Sequence, residues 1–171
     1  LSGGYAVVSL IANHGLIGFR DPFGIRPLVL GKKTASDGFN SYMLASESCT
    51  LTSNGFELIR DVLPGEAIII SLTGELSSQI CHANPSLNLC IFEYVYLARP
   101  DTTIAGQGIH ATRVKIGQQL AKEFPVDADL VIPVPESGTP AAIGYAKESG
   151  IPYGLGLVKN SYVGRTFIQP S

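Results

Sequence analysis

Five residues, Pro135-Glu136-Ser137-Gly138-Thr139, bring an acid, two hydroxyls and a glycine together just before the alanine-rich stretch PAAIGYA. A second set, Lys159, Tyr162, Gly164 and Arg165 within LVKNSYVGRTFIQPS, offers two cations, a phenol and a hinge-capable glycine. The first set suits anion binding. The first turn of a helix leaves N–H groups free and carries partial positive charge; hydroxyls add donors, and glycine lets the backbone come close to a ligand. The competing reading is an ordinary N-cap, with Glu136 a solvated acid. The stretch matches neither G-x-x-x-x-G-K-[ST] nor G-x-G-x-x-G. Cations on a flexible loop after a strand suit closure over an anionic substrate and exclusion of water. The competing reading there is an exposed basic loop.

The surrounding elements must position these groups. DLVIPV is a short, continuously apolar strand of the kind buried in a parallel sheet. TPAAIGYAKESG reads as a helix closed by Gly150, and IPYGLGLV as the next strand. Together they make a strand–helix–strand unit with a right-handed crossover. The loop then falls beyond the carboxyl end of a strand, where open parallel sheets hold their ligands. Pro140 suits the first helical turn, because its missing N–H has no partner to lose. Upstream, Ile109, Ile116, Leu120 and Phe124 recur at helical spacing and predict an amphipathic helix ended by Pro125. IFEYVYLARPD reads as an aromatic extended stretch.

The first half reads as β-rich. A hairpin turn falls at Asn13-His14-Gly15, and Asp21-Pro22-Phe23-Gly24 has proline and glycine where a tight turn wants them. IRPLVLG, SYMLASES, ELIRDVLPGEAIIISL and the LTGEL turn continue the strand pattern, with a short helical piece from Ser48 to Leu51. Asp21 and Arg26 are expected to brace their turn through an ion pair or backbone bonds. CHANPSLN, from Cys81 to Asn88, is polar and contains proline, so it predicts a linker between residues 1–88 and 89–171. The fold expectation is a two-part chain, α+β followed by α/β.

Composition narrows the function classes. Of 171 residues, 45 % are hydrophobic and 15 % charged, which suits a packed globular chain. A net charge of −2 gives no footprint for nucleic acid. No apolar run reaches the roughly 18 residues of a membrane span. Cys49, Cys81 and Cys90 form no C-x-x-C pair, and with His14, His82 and His110 show no zinc or triad spacing. An odd cysteine count without a secretion signal favours reduced thiols and a cytoplasmic location. Both ends read as cut from a longer chain.

IFEYVYLARPD, VIPVPESGTPAAIGYA and VKNSYVGRTFIQPS, in this order and spacing, resemble the amidophosphoribosyltransferases, the glutamine phosphoribosylpyrophosphate amidotransferase family. GFRDPFGIRPLVLG and YMLASES resemble the glutaminase half of the same family. RDPFGIRPL alone is shared with other class II amidotransferases. The resemblance implies that residues 1–88 are the C-terminal portion of an N-terminal-nucleophile (αββα) glutaminase domain. Residues 89–171 are then the first half of a type I phosphoribosyltransferase domain, ending in its flexible loop. It implies an enzyme of purine (IMP) synthesis that makes 5-phosphoribosylamine from phosphoribosyl pyrophosphate and glutamine-derived ammonia, with Mg²⁺. Its partners would be phosphoribosyl pyrophosphate, glutamine and inhibitory purine nucleotides, with a homo-oligomer as the full-length state.

On that resemblance, Glu136, Ser137, Gly138 and Thr139 form the pyrophosphate loop, and Ser137 contacts the Mg²⁺–substrate complex. Lys159, Tyr162, Gly164 and Arg165 belong to the flexible loop, and Cys90 matches a [4Fe–4S] ligand in the iron–sulfur branch. The chain departs from the pattern as well. The family's nucleophile is an amino-terminal Cys, whereas position 1 here is Leu1 and none of the three cysteines matches it; the acidic Asp-Asp phosphate-loop motif is absent as well. Ser161 replaces an Arg that many members carry. No catalytic residue is therefore expected in this chain, which is expected to be inactive alone. Two alternatives remain: a class II amidotransferase joined to a different synthase, and a non-catalytic module that binds purine nucleotides.

Overall fold

Two turns set the first half of the computed structural model, which describes residues 1–164. At the first, Asn13 adopts a left-handed φ of 63° and the His14 amide bonds the Ile11 carbonyl, reversing β1 (Ala6–Ile11) into β2 (Gly15–Arg20). At the second, the Gly24 amide bonds the Asp21 carbonyl with Gly24 at φ 59°. The strands β3 (Val29–Thr34), β4 (Asn40–Ala45), β5 (Glu57–Asp61), β6 (Glu66–Ser71) and β7 (Leu76–Ile80) follow, with α1 (Ser48–Ser53) between β4 and β5. They form two antiparallel sheets, ordered β1-β2-β6-β7 and β4-β3-β5.

Strand alternation aims one side of each sheet at the other. Leu16, Ile70 and Leu76 lie side by side across β2, β6 and β7. With Ile68 they meet Leu28, Leu30, Leu44 and Val62 in one buried cluster. A Cβ on Gly18 would run into the Leu44 side chain, which shows how closely the sheets approach there. The sequence-predicted hairpins, turns and short helix are all present.

Two expectations fare differently. CHANPSLN is irregular and exposed, yet it is pinned down: the Cys81, Ser86 and Asn88 amides donate to the carbonyls of Gly65, Pro22 and Phe23. IFEYVYL is not extended. It winds into a π-helical segment, Glu93–Leu97, in which the Ala98 amide reaches the Glu93 carbonyl. The reason is a polar side chain that the apolar pattern hides, for Glu93 is buried and ion-pairs with Arg26 at 2.5 Å. Glu47 Oε2 accepts the Arg99 amide, and Ser48 Oγ bonds the Thr102 hydroxyl and accepts the Thr103 amide. Through these bonds, and through a short hairpin of β8 (Thr103–Ile104) and β9 (Gln107–Gly108), the segment after the linker packs with the sheets. The first compact unit thus runs from Leu1 to Ile109.

The second compact unit begins at His110. It contains α2 (Ile109–Glu123, opening at the boundary) and α3 (Thr139–Ser149). Gly150 ends α3 at φ 76°, its amide on the Ala146 carbonyl, as expected. The apolar stripe expected on α2 is buried only at its start: Ile109 has no exposed surface, but Ile116, Leu120 and Phe124 are 38 %, 47 % and 64 % exposed, while Arg113, Gly117 and Ala121 are buried. The cause is the way the helices meet. A Cβ at Gly117 would sit 1.9 Å from the Ala141 carbonyl oxygen, and one at Gly144 2.0 Å from that of Val114. Backbone lies on backbone, which only glycine permits. The two predicted parallel strands reduce to one bridge, Val131 to Tyr153, held by Val131 N–H to Pro152 and Gly154 N–H to Val131. Leu130, Ile132, Val134, Leu155 and Leu157 stay largely exposed, so the two-sided burial that stabilises parallel strands is missing among the described residues.

Candidate anion-binding site

The Val131 bridge fixes where the chain leaves its extended run, and α3 fixes where it becomes helical; Pro135 to Gly138 is the turn between them. The turn is tight. Gly138 N–H bonds the Val134 carbonyl, Thr139 N–H bonds that of Glu136, and Ala142 N–H bonds that of Gly138. The peptide bond between Pro135 and Glu136 is cis. Gly138 at φ −77° already has helical backbone and stands at the N-cap, and no side chain caps the helix. A Cβ on Gly138 would lie 2.8 Å from the Val134 carbonyl oxygen, so the glycine is required for closeness, not for φ.

The plain N-cap reading therefore fails. Among the described residues the hydroxyls of Ser137 and Thr139 bond nothing, and the amides of Glu136 and Ser137 find no acceptor. Pro140, buried within the first helical turn, has no N–H to offer. Two amides and two hydroxyls remain as donors at the positive end of α3. This is a donor set for an anion.

The structure joins the first sequence cluster to part of the second. Lys159 Nζ lies 3.3 Å from Glu136 Oε2, both side chains more than half exposed. Beyond it the Asn160 side chain accepts the Tyr162 amide, and its carbonyl accepts the Val163 amide, forming a turn. Tyr162 is 99 % exposed and Gly164 is exposed, and neither meets the loop. Arg165, part of the same expected cluster, lies outside the described residues. Sequence reasoning found Glu136 and Lys159 separately; only the fold pairs them.

Metal ligands are sparse. Among the described residues no three His, Cys, Asp or Glu side chains gather. The loop offers one carboxylate and hydroxyls, too little for a protein-built Mg²⁺ cage. Cys90 is half-buried in the first unit, Cys49 is buried and Cys81 exposed, so a four-thiolate cluster does not fit the described residues.

Polar side chains of the first unit are occupied. Asp21, with no exposed surface, accepts the amides of Tyr5, Phe23, Ile25 and Arg26. This is the backbone bracing expected of it, while Arg26 turns instead to Glu93. Sequence reasoning passed over Arg20. Its buried guanidinium donates to the carbonyls of Arg26, Val62 and Gly24, each at 2.7 Å. Burial lowers its pKa, against the pull of Asp61 and Asp21. Burial likewise pushes the Asp61 carboxyl up, against Arg20. These groups hold a turn and a sheet crossing. A cavity of about 580 Å³ opens beside them, lined by Leu1, Tyr5, Phe19, Arg20, Glu66 and His82 among others.

A mixed α/β chain with an open donor set between a strand and a helix is thus defined, and its relatives are consistent. No protein-family model matches it. It is 54 % identical over 164 residues to the amidophosphoribosyltransferase of Mycobacterium tuberculosis, which covers 96 % of this chain and 30 % of that protein. It is 49 % identical over 175 residues to the Escherichia coli amidophosphoribosyltransferase, covering 99 % of this chain and 35 % of that one. Among solved structures, the Bacillus subtilis glutamine phosphoribosylpyrophosphate amidotransferase complexed with ADP and GMP superposes with a TM-score of 0.86. It is 44 % identical and covers all of this chain and 36 % of that one. A structure described as the allosteric regulatory enzyme of purine biosynthesis gives 0.87, also at 44 %. The chain is homologous to the amidophosphoribosyltransferases and spans about a third of the length of the relatives it matches. No helix among the described residues is long and apolar enough to cross a membrane.

Proposed function

We propose that this chain serves an amidophosphoribosyltransferase, as part of a longer protein that makes 5-phosphoribosylamine from phosphoribosyl pyrophosphate and glutamine-derived ammonia. One observation carries the reading: the amides of Glu136 and Ser137 and the hydroxyls of Ser137 and Thr139 stand unpaired at the start of α3. On this reading they receive the pyrophosphate of the substrate. Residues 1–88 belong to a glutaminase domain and 89–171 to a phosphoribosyltransferase domain, with the segment to Ile109 laid against the glutaminase sheets.

The departing group gains charge as its bond to C1 breaks. Fixed N–H and O–H donors that need no reorganisation stabilise that charge, and Mg²⁺ held by the phosphates would neutralise part of it. Lys159 adds a cation beside the loop. Purine nucleotides as inhibitory ligands, a homo-oligomeric assembly and a cytoplasmic location complete the proposal. So does a [4Fe–4S] role for Cys90 with ligands from elsewhere in the longer protein; the iron content of the anaerobically purified protein tests it.

The test of the reaction is glutamine-dependent release of pyrophosphate from phosphoribosyl pyrophosphate by the longer protein. Ser137→Ala there should raise KM for phosphoribosyl pyrophosphate about tenfold, the scale of one hydrogen bond to a charged group. Unchanged kinetics would remove the pyrophosphate role from this loop.

A further inference from the structure

An acid just ahead of a helix can serve that helix by accepting its free amides. Glu136 does not. Its own amide and that of Ser137 stay unpaired, and its carboxylate turns away to Lys159, 23 residues on, which is its one partner among the described residues. The loop therefore keeps its donors open while its single negative charge is neutralised by a cation from the neighbouring segment. We propose that the Glu136 carboxylate competes with the ligand, while the amide of the same residue remains one of the donors. Its carboxylate holds Lys159 beside the empty loop, and an incoming diphosphate takes the lysine from it. The inference rests on the anion-site reading above and assigns Glu136 a different part in it.

The physics of an exposed pair makes such an exchange workable. At 3.3 Å, with both side chains more than half exposed, the pair is weak and readily given up, yet it keeps the ammonium close to the loop. A diphosphate presents several anionic oxygens to two amides, two hydroxyls and the ammonium together. A singly ligating anion gains less and must still displace the carboxylate. Glu136 so acts as a threshold that favours a ligand with more than one anionic group. Once displaced it remains near the bound anion as a like charge, which opposes binding further.

The test is calorimetric titration of the longer protein with Mg²⁺–pyrophosphate at low ionic strength, in wild type, Glu136→Gln, Glu136→Asp, Lys159→Gln and the Glu136→Gln/Lys159→Gln double variant. Glu136→Gln should tighten pyrophosphate about threefold, the scale of an exposed ion pair, and tighten inorganic phosphate more. Glu136→Asp should stay near wild type. Lys159→Gln should weaken binding and remove most of the gain from Glu136→Gln. Equal or weaker binding by Glu136→Gln overturns the proposal, as does an identical gain in both lysine backgrounds. If wild type binds pyrophosphate and Glu136→Gln leaves it unchanged, the anion site stands and only the competitor role falls. If wild type binds no pyrophosphate, both fall.

Discussion

The two compact units satisfy their polar groups in opposite ways. In the first, buried charges close on backbone: Asp21 takes four amides, Arg20 gives to three carbonyls, and Glu66 receives both Arg60 nitrogens and the Leu63 amide. In the second, two helices touch through glycines, one parallel bridge stands in for a sheet, and a loop leaves four donors without protein partners. The difference teaches where to look for function. A polar group already bonded inside the fold is holding structure; a donor left open at the end of a strand is waiting for something else.

The sharpest way to break this comparison is Asp21→Ala. Removing this acceptor, which has no exposed surface, strands four amides, so the first unit should lose about 4 kcal/mol. Hydrogen exchange should show the loss centred on β2, β3 and residues 21–26; unchanged protection there would mean that the aspartate is not the brace. Next comes Gly117→Ala, where the new methyl meets the Ala141 carbonyl oxygen and the helices must part. A cost of about 3 kcal/mol is expected, read from lost exchange protection in α2 and α3. Gly18→Ala is its counterpart in the first unit. There the methyl meets only the Leu44 side chain, chiefly its terminal methyl, and no backbone, so its smaller cost, about 1 kcal/mol, sharpens the contrast.

Acid should separate two carboxylates of the first unit. Burial pushes Glu66 up, but the bidentate Arg60 bond and the Leu63 amide outweigh it and leave the carboxyl below its ordinary value. A depressed carboxyl stabilises the fold above its unfolded pKa, about 4.3, and that contribution disappears as pH falls through the lower folded value. Glu93 behaves oppositely. Burial raises it, Arg26 only partly offsets this, and Glu47 adds to it, so its ionisation opposes folding at neutral pH; the penalty eases as pH falls through its raised folded value and is gone below the unfolded pKa, about 4.3. Urea unfolding against pH should therefore show Glu66→Gln losing the stability that wild type gains as pH rises to about 4.3, and Glu93→Gln flattening a slope of the other sign above that pH. The smallest stability effect belongs to Ser137→Ala. With no protein partner to lose, it should unfold within about 0.5 kcal/mol of wild type even where it changes KM.

Much of the first unit was legible because its turns announce themselves. Asn13 and Gly24 occupy left-handed conformations that few other residues tolerate, and between such turns the strand period reads cleanly. The α2 face was misread because apolar periodicity looks for large side chains, whereas a helix pressed against another backbone needs the absence of one at Gly117. IFEYVYL has the composition of a strand, and the single polar residue that decides its winding, Glu93, finds Arg26 at a distance no local pattern encodes. The strand-to-helix turn at 135–139 was legible from residue types, and so was its supply of donors. Its pairing with Lys159 was not, since the two lie 23 residues apart and only the Val131–Tyr153 bridge brings their segments together.

The segment laid against the first unit has a consequence in time. Arg26 meets Glu93 across 67 residues, and Ser48 meets Thr103 across 55. During synthesis, at about 5–20 residues per second, Arg26 waits some 3–13 s for its partner to be made. Over that interval the Asp21 carboxylate already has its four amide partners, while the surface that will receive residues 93–103 stays open. The order of emergence thus leaves one seam of an otherwise finished unit exposed to the surroundings, and the last stitch comes from the polypeptide that leads into the next unit.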